Sequence, residues 1–173
     1  RGTVSLTNMR LNLQIFMEEQ SPRDDPPWLE GKWRSPSWGC KHARIHTGFY
    51  DGYSSLREDI LATVREIAIQ RPQRRILVCG HSLGGAMATQ CAFDCRVILS
   101  VPEDKVTLIT FGSPKVGNRS FARRFAVAVP DSFRLVNHSD FITNQPNSPV
   151  QIYDHVPRGV LIDAHGNVVV DPM

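Results

Sequence analysis

The pentapeptide Gly80-His81-Ser82-Leu83-Gly84 sets a serine between two glycines in the pattern G-x-S-x-G. A serine hydroxyl attacks a carbonyl only when a neighbouring base takes its proton, and a sharp strand-to-helix turn is what lifts the hydroxyl clear of its surroundings. Glycines on either side remove the Cβ atoms that would collide in such a turn. The pattern alone is weak; its context makes it specific. Arg75 to Cys79 (RILVC) is a short apolar run that reads as a strand buried on both faces. Gly84 to Leu99, rich in Ala, Met and Cys, reads as a helix lying close to a sheet. That helix would lend its positive end and its free N–H groups, the Leu83 N–H first, to a developing oxyanion. The plainer alternative is an ordinary strand-turn-helix with a capping serine. Strand, elbow, helix and the extra Gly85 together favour Ser82 as a nucleophile.

A serine nucleophile of this kind needs an acid and a histidine. Asp140 falls just past the predicted strand Phe133 to Asn137 (FRLVN), where parallel sheets place functional groups. A carboxylate there can orient an imidazole and stabilise its protonated form. Asp131 and Asp154 are weaker candidates. For this chain order the histidine should follow the acid. His165 lies in His-Gly-Asn, which reads as a hairpin turn, so His155 is the better candidate base within the chain. His46 and His81 read as structural, and His138 reads as a turn neighbour of Asp140 that could hydrogen-bond to it.

The elements that must hold these groups alternate from Tyr50 onward. Ser54 to Gln70 is expected to be an amphipathic helix capped by Ser54 or Ser55, with Leu56, Ile60, Val64 and Ile67 on one face and Pro72 ending it. Val106 to Phe111 reads as a strand, Gly112-Ser113-Pro114 as a turn, and Asn118 to Val129 as a helix capped by Asn118. The tail reads as hairpin-forming strands Val150 to Tyr153, Gly159 to Ile162 and Val168 to Val170. Strand-helix-strand repetition implies a parallel sheet. Leu11 to Phe16 could be a strand. Residues of about 20–41 carry four prolines and three tryptophans without period and read as a long loop.

Bulk properties narrow the class. With 173 residues, 41% hydrophobic and 21% charged, the chain reads as one globular domain. A net charge of +3 does not argue for nucleic acid. The clusters Arg71, Arg74, Arg75 and Arg119, Arg123, Arg124 read as solvated helix faces, with an anionic-lipid contact as the alternative. Cys79, Cys91 and Cys95 read as small core thiols rather than a disulfide or a zinc site. No apolar run is long enough to span a bilayer.

The segment Gly80 to Met87 (GHSLGGAM) resembles the nucleophile elbow of class 3, fungal-type lipases, and other segments agree in order. Arg1-Gly2-Thr3 is similar to that family's oxyanion motif, and His46-Thr47-Gly48-Phe49 to its H-x-G-F segment. Thr110 to Asn118 (TFGSPKVGN) resembles the strand and turn after the elbow helix. Val136 to Asp140 (VNHSD) resembles the segment bearing the acid, and Tyr153-Asp154-His155 a Y-x-H motif. The resemblance implies an α/β-hydrolase fold, a mostly parallel central sheet flanked by helices, spanning 1–173 as one partial domain. It implies Thr3 as the second oxyanion donor beside Leu83, and a lid at Val4 to Arg10. It also implies that the Y-x-H histidine is not the base, which would come several dozen residues later, past Met173. The chain is therefore expected to be a fragment, truncated at both ends.

The reaction so implied is hydrolysis of a lipid carboxylic ester, of the triacylglycerol lipase or phospholipase A1 type, at a membrane or droplet interface. No cofactor, metal or nucleic acid is implied. A non-catalytic lipid-binding domain that keeps the fold with an incomplete triad is the alternative. Acyl transfer to an alcohol and peptidase activity would use the same site.

Overall fold

The computed structural model describes residues 17–19, 43–137, 139–146 and 153–171. The predicted loop at about 20–41, the Leu11 to Phe16 strand, the lid, Thr3 and His138 lie outside them. The central feature is a five-stranded sheet of β3 (Ile76–His81), β4 (Val106–Phe111), β6 (Ser132–Asn137), β8 (Gly159–Ile162) and β9 (Val168–Val170), in that spatial order. The first four strands run parallel, and β9 returns antiparallel from β8. A smaller antiparallel sheet pairs β1 (Met17–Glu19), β2 (Arg44–His46), β5 (Gly117–Asn118) and β7 (Tyr153–Asp154).

Among the described residues three α-helices accompany the sheets: α1 (Thr47–Gln70), α2 (Leu83–Val97) and α3 (Arg119–Ala128). Helix α2 lies across β3 and β4 and is itself packed by α1 and α3. Its small residues allow that close approach: Ala86, Ala88, Ala92 and Cys95 are buried. Phe93 of α2 meets Phe121 and Phe125 of α3 with ring centroids 5.7 and 6.4 Å apart, geometry that aromatic pairs favour. Asn118 caps α3 as expected, its side chain accepting from the Phe121 N–H at 3.0 Å.

Several expectations change. Helix α1 begins at Thr47, capped by His46 Nδ1 accepting from the Gly48 N–H at 3.1 Å, not by Ser54 or Ser55. Its buried face is Phe49, Tyr53 and Leu61, whereas Leu56 and Ile67 are about half exposed, at 48% and 49%. A buried polar lock fixes that rotation. Asp94 of α2 accepts from Tyr53 Oη at 3.0 Å and from Arg57 Nε at 2.6 Å. Burial and the Asp94 carboxylate push the Tyr53 phenol well above its ordinary range, so it stays a donor.

The second change concerns β3. Its residues alternate between half-buried and exposed instead of being buried on both faces, with Leu77 61% exposed and Cys79 on the exposed side. Only Cys95 of the three described cysteines is a fully buried thiol. Third, residues 153–154 do not join the terminal hairpin. They pair with β5, while β8 and β9 form the hairpin and extend the main sheet from β6. Arg124 is also buried rather than solvated.

Candidate active site

The parallel register places the site at one end of the sheet. His81 is paired with Phe111 and Phe111 with Leu135, so the residues that follow each strand emerge side by side. Ser82 comes off β3, Gly112 off β4, and Asp140 off the turn after β6. This edge beyond the C-terminal ends of the strands is where open parallel sheets carry their chemistry.

Ser82 stands between β3 and α2 with φ 52° and ψ −124°. A left-handed φ is uncommon for a residue with a Cβ and persists only where neighbours impose it. Here the Ser82 N–H donates to the Phe111 carbonyl at 2.9 Å, and the Ser82 carbonyl accepts from the Gly85 N–H at 2.9 Å. The side chain makes no capping hydrogen bond to the helix. The hydroxyl is thus held out of the helix cap by a strained backbone. The capping role that a serine would ordinarily take here is not the one it plays.

Gly80 and Gly85 are required by contact, whereas a Cβ on Gly84, the other glycine flanking Ser82, would meet nothing within 4 Å, so the expected collision holds on one side of the serine only. A Cβ at Gly80 would sit 2.2 Å from the Gly84 carbonyl oxygen, and one at Gly85 would sit 2.8 Å from Ser113 Cβ. Gly80→Ala therefore forces backbone apart at the elbow and is expected to cost about 2–4 kcal/mol. A urea midpoint lowered with unchanged slope is the expected reading; an unshifted midpoint would mean that the elbow opens freely.

The Leu83 N–H, first in α2, makes no hydrogen bond among the described residues and points from a helix N-terminus. It is free to receive a negative oxygen beside Ser82.

Asp140 caps the short 3-10 helix Phe141–Asn144. Its Oδ1 accepts from the Ile142 N–H at 2.9 Å, and its carbonyl from Thr143 Oγ1 at 2.7 Å. The other carboxylate oxygen lies against Gly112. A Cβ built on Gly112 would be 2.5 Å from Asp140 Oδ2 and 3.8 Å from His81 Nε2. Gly112 also has φ +56°, so the position needs glycine twice over. A cleft of about 500 Å³ opens beside the carboxylate, lined by His81, Phe111, Gly112, Leu135, Asp140 and Ile162. Gly112 was read from sequence only as a turn residue. The signal was present as a glycine directly after a strand aligned with the elbow strand.

The other candidates are placed elsewhere. Asp131 accepts from Thr107 Oγ1 at 2.5 Å and pairs with Arg75 at 3.1 Å, before β6 rather than after it. Asp154 accepts from the His155 N–H and faces Arg119 at 3.8 Å. His165 is exposed in the β8–β9 turn. His46 is fully buried, its ring tilted against those of Phe49 and Tyr153.

His155 follows β7 and does not line the cleft beside Asp140. Its Nδ1 is buried without a hydrogen-bond partner among the described residues. Burial, then the nearby Arg134 and Lys115, pulls its imidazole down to about 3, against a weaker opposing contact with the Thr143 backbone. In the unfolded chain a histidine titrates near 6.5. Below that pH the unfolded state gains a proton that the folded state refuses, so the stability His155 contributes is present above about pH 6.5. It is lost as pH falls towards about 3, at up to about 1.4 kcal/mol per pH unit. Urea titrations between pH 7 and pH 4 should show a shallower decline for His155→Gln; equal slopes would contradict this account.

Comparison with known proteins decides the family. The profile of the family described as Lipase (class 3) matches residues 1–149. The chain belongs to the class 3 lipase family. The chain is 37% identical over 126 residues to "Lipase A" of Sodiomyces alcalophilus, covering 69% of this chain and 28% of that protein. It is 31% identical over 131 residues to the secreted mono- and diacylglycerol lipase A of Penicillium cyclopium, covering 76% of this chain and 41% of the relative. Among solved structures it resembles a fungal lipase–inhibitor complex with TM-score 0.75 and 27% identity over 98% of this chain and 58% of that one. A triacylglycerol lipase whose catalytic centre is a serine-protease-like triad gives TM-score 0.71 and 26% identity, over 94% of this chain and 56% of that one. The fold is that of the α/β hydrolases. The chain spans about 28–58% of the length of these four proteins. No helix among the described residues is long and apolar enough to cross a membrane.

Proposed function

We propose that this class 3 lipase hydrolyses carboxylic esters of lipids through an acyl-enzyme on Ser82. The observation that carries the reading is the Ser82 elbow: a serine held at φ 52° with its hydroxyl outside the helix cap, beside a Leu83 N–H that has no partner among the described residues. Ser82 Oγ attacks the ester carbonyl carbon while its proton passes to a histidine. The carbonyl oxygen takes the negative charge and is held by the Leu83 N–H and by Thr3. Collapse expels the alcohol, which leaves with the proton from the histidine. Water then repeats the sequence on the acyl-enzyme and releases the carboxylic acid.

Asp140 is assigned to orient that histidine. One of its oxygens is committed to the Ile142 N–H, and the other lies at the cleft beside Gly112, free to accept an imidazole N–H. The histidine is assigned to a position outside these 173 residues. A neutral imidazole tied down by burial, as His155 is, accepts a proton poorly at neutral pH. The lipid nature of the substrate rests on the family and on relatives described as mono- and diacylglycerol lipases. Its interfacial presentation rests on resemblance.

The test is fatty-acid release by the full-length protein, followed by pH-stat on emulsified triacylglycerol, diacylglycerol and phosphatidylcholine. Acid released from at least one of them supports the assignment. A protein that binds the emulsions but releases no acid would instead support the lipid-binding alternative.

A further inference from the structure

At the end of β3 farthest from Ser82, the last turn of α1, the loop 71–75 and the segment 98–105 enclose a cleft of about 300 Å³. Its walls are largely apolar, with Ala68, Ile76, Leu99 and Val101 among them. Ile67 and Ile69 also line it and remain 49% and 74% exposed. Two exposed isoleucines at the rim of one cleft are a surface in want of an apolar partner.

The charges on the same cleft all have one sign. Arg65, Arg71, Arg74, Arg75 and Lys105 line it, and no aspartate or glutamate does. Arg75 is occupied by Asp131 and Thr107, and Lys105 donates to the Pro72 carbonyl. Arg65, Arg71 and Arg74 have no ion-pair partner among the described residues. These three are exposed at the mouth, where their guanidinium groups present paired N–H donors to an incoming oxyanion. An apolar pocket edged by unpaired arginines selects a ligand with an apolar tail and a single anionic head.

We propose that this cleft binds a single-chain carboxylate amphiphile, a fatty-acid anion, with its head on Arg71 and Arg74 and its tail along Ile67 and Ile69. A bilayer is the less suitable occupant. The six residues of β3 separate the cleft from Ser82, roughly 20 Å at 3.3 Å per residue. A lipid sheet pressed against one end would therefore turn Ser82 away from it. A monomeric amphiphile brings no such conflict. The hydrolytic reading supplies a source for this ligand, since a fatty acid is what ester hydrolysis would release. The binding itself does not depend on turnover, so the two readings fail separately.

The test is calorimetric titration of the full-length protein with sodium decanoate below its micelle concentration, beside decanol and acetate at the same ionic strength. One saturable site for decanoate is expected, with decanol and acetate each at least ~10-fold weaker. Arg71→Glu/Arg74→Glu should weaken decanoate by at least ~10-fold. Arg71→Gln/Arg74→Gln, which removes charge with little change of shape, should move it the same way if the reversal disturbs folding. Ile69→Ser should weaken it through the tail alone. Decanoate binding that ignores the arginines would place the ligand elsewhere and overturn the proposal, as would decanol binding equal to decanoate. Arginine-dependent binding of phosphatidylglycerol vesicles without decanoate binding would also overturn it, in favour of a membrane contact.

Discussion

Ser82→Ala in the full-length protein is expected to lower ester hydrolysis by roughly 10⁵–10⁶-fold, with the fold unchanged. The size follows from the role: loss of the nucleophile removes the covalent path entirely and leaves only what oxyanion donors and binding supply. The unchanged fold follows from the structure. The Ser82 hydroxyl makes no cap to α2, and the backbone bonds that set its φ run through its N–H and carbonyl, which alanine keeps. A drop in kcat/KM with an unaltered urea midpoint is the expected pair of readings. Equal activity in the two proteins would remove Ser82 from the mechanism.

Asp140→Asn should cost about 10⁴-fold in kcat. Asparagine has the same shape and its Oδ1 can keep the bond from the Ile142 N–H, so the turn Phe141–Asn144 should persist. What changes is the group against Gly112. An amide there no longer accepts from the imidazole on both counts of charge and tautomer, so the histidine is held the wrong way round for taking the serine proton. Asp131→Asn serves as the comparison, because Asp131 is engaged with Arg75 and Thr107 and lies before β6. Its loss should leave kcat within a few-fold. A large loss in Asp131→Asn with little in Asp140→Asn would reverse the assignment.

Much of the architecture was legible because local signals and the final structure agree. β4 falls at Val106–Phe111 as its apolar run indicates, and Asn118 caps α3 through the side-chain bond that such a residue offers. The elbow was legible for the same reason: strand, paired glycines and helix are all local. The start of α1 was missed because an imidazole cap is an uncommon signal, while Ser54 and Ser55 are common ones. Its inward face was missed because apolar residues lie on more than one side of α1, and the choice is made by Asp94 on another helix. The pairing of Tyr153–Asp154 with Gly117–Asn118 is non-local, and no pattern within either segment announces it.

The candidate site, whose residue roles are proposed, was legible to a similar depth. Sequence order and strand ends lead to Ser82 and Asp140, but the packing of the carboxylate on Gly112 depends on φ +56° and on two strands meeting in register. The environment of His155 was equally hidden. The burial that does most to hold its imidazole neutral, and the Arg134 and Lys115 charges that add to it, come from residues distant in sequence and arise only in the folded chain.

The most direct test of Ser82 as nucleophile is labelling of the full-length protein with a fluorophosphonate, followed by peptide mass spectrometry. The account predicts one phosphonyl adduct on the peptide containing Ser82, formed in step with loss of esterase activity and absent when the protein is unfolded. Inactivation with the adduct on any other residue, or activity that survives full labelling of Ser82, would contradict it.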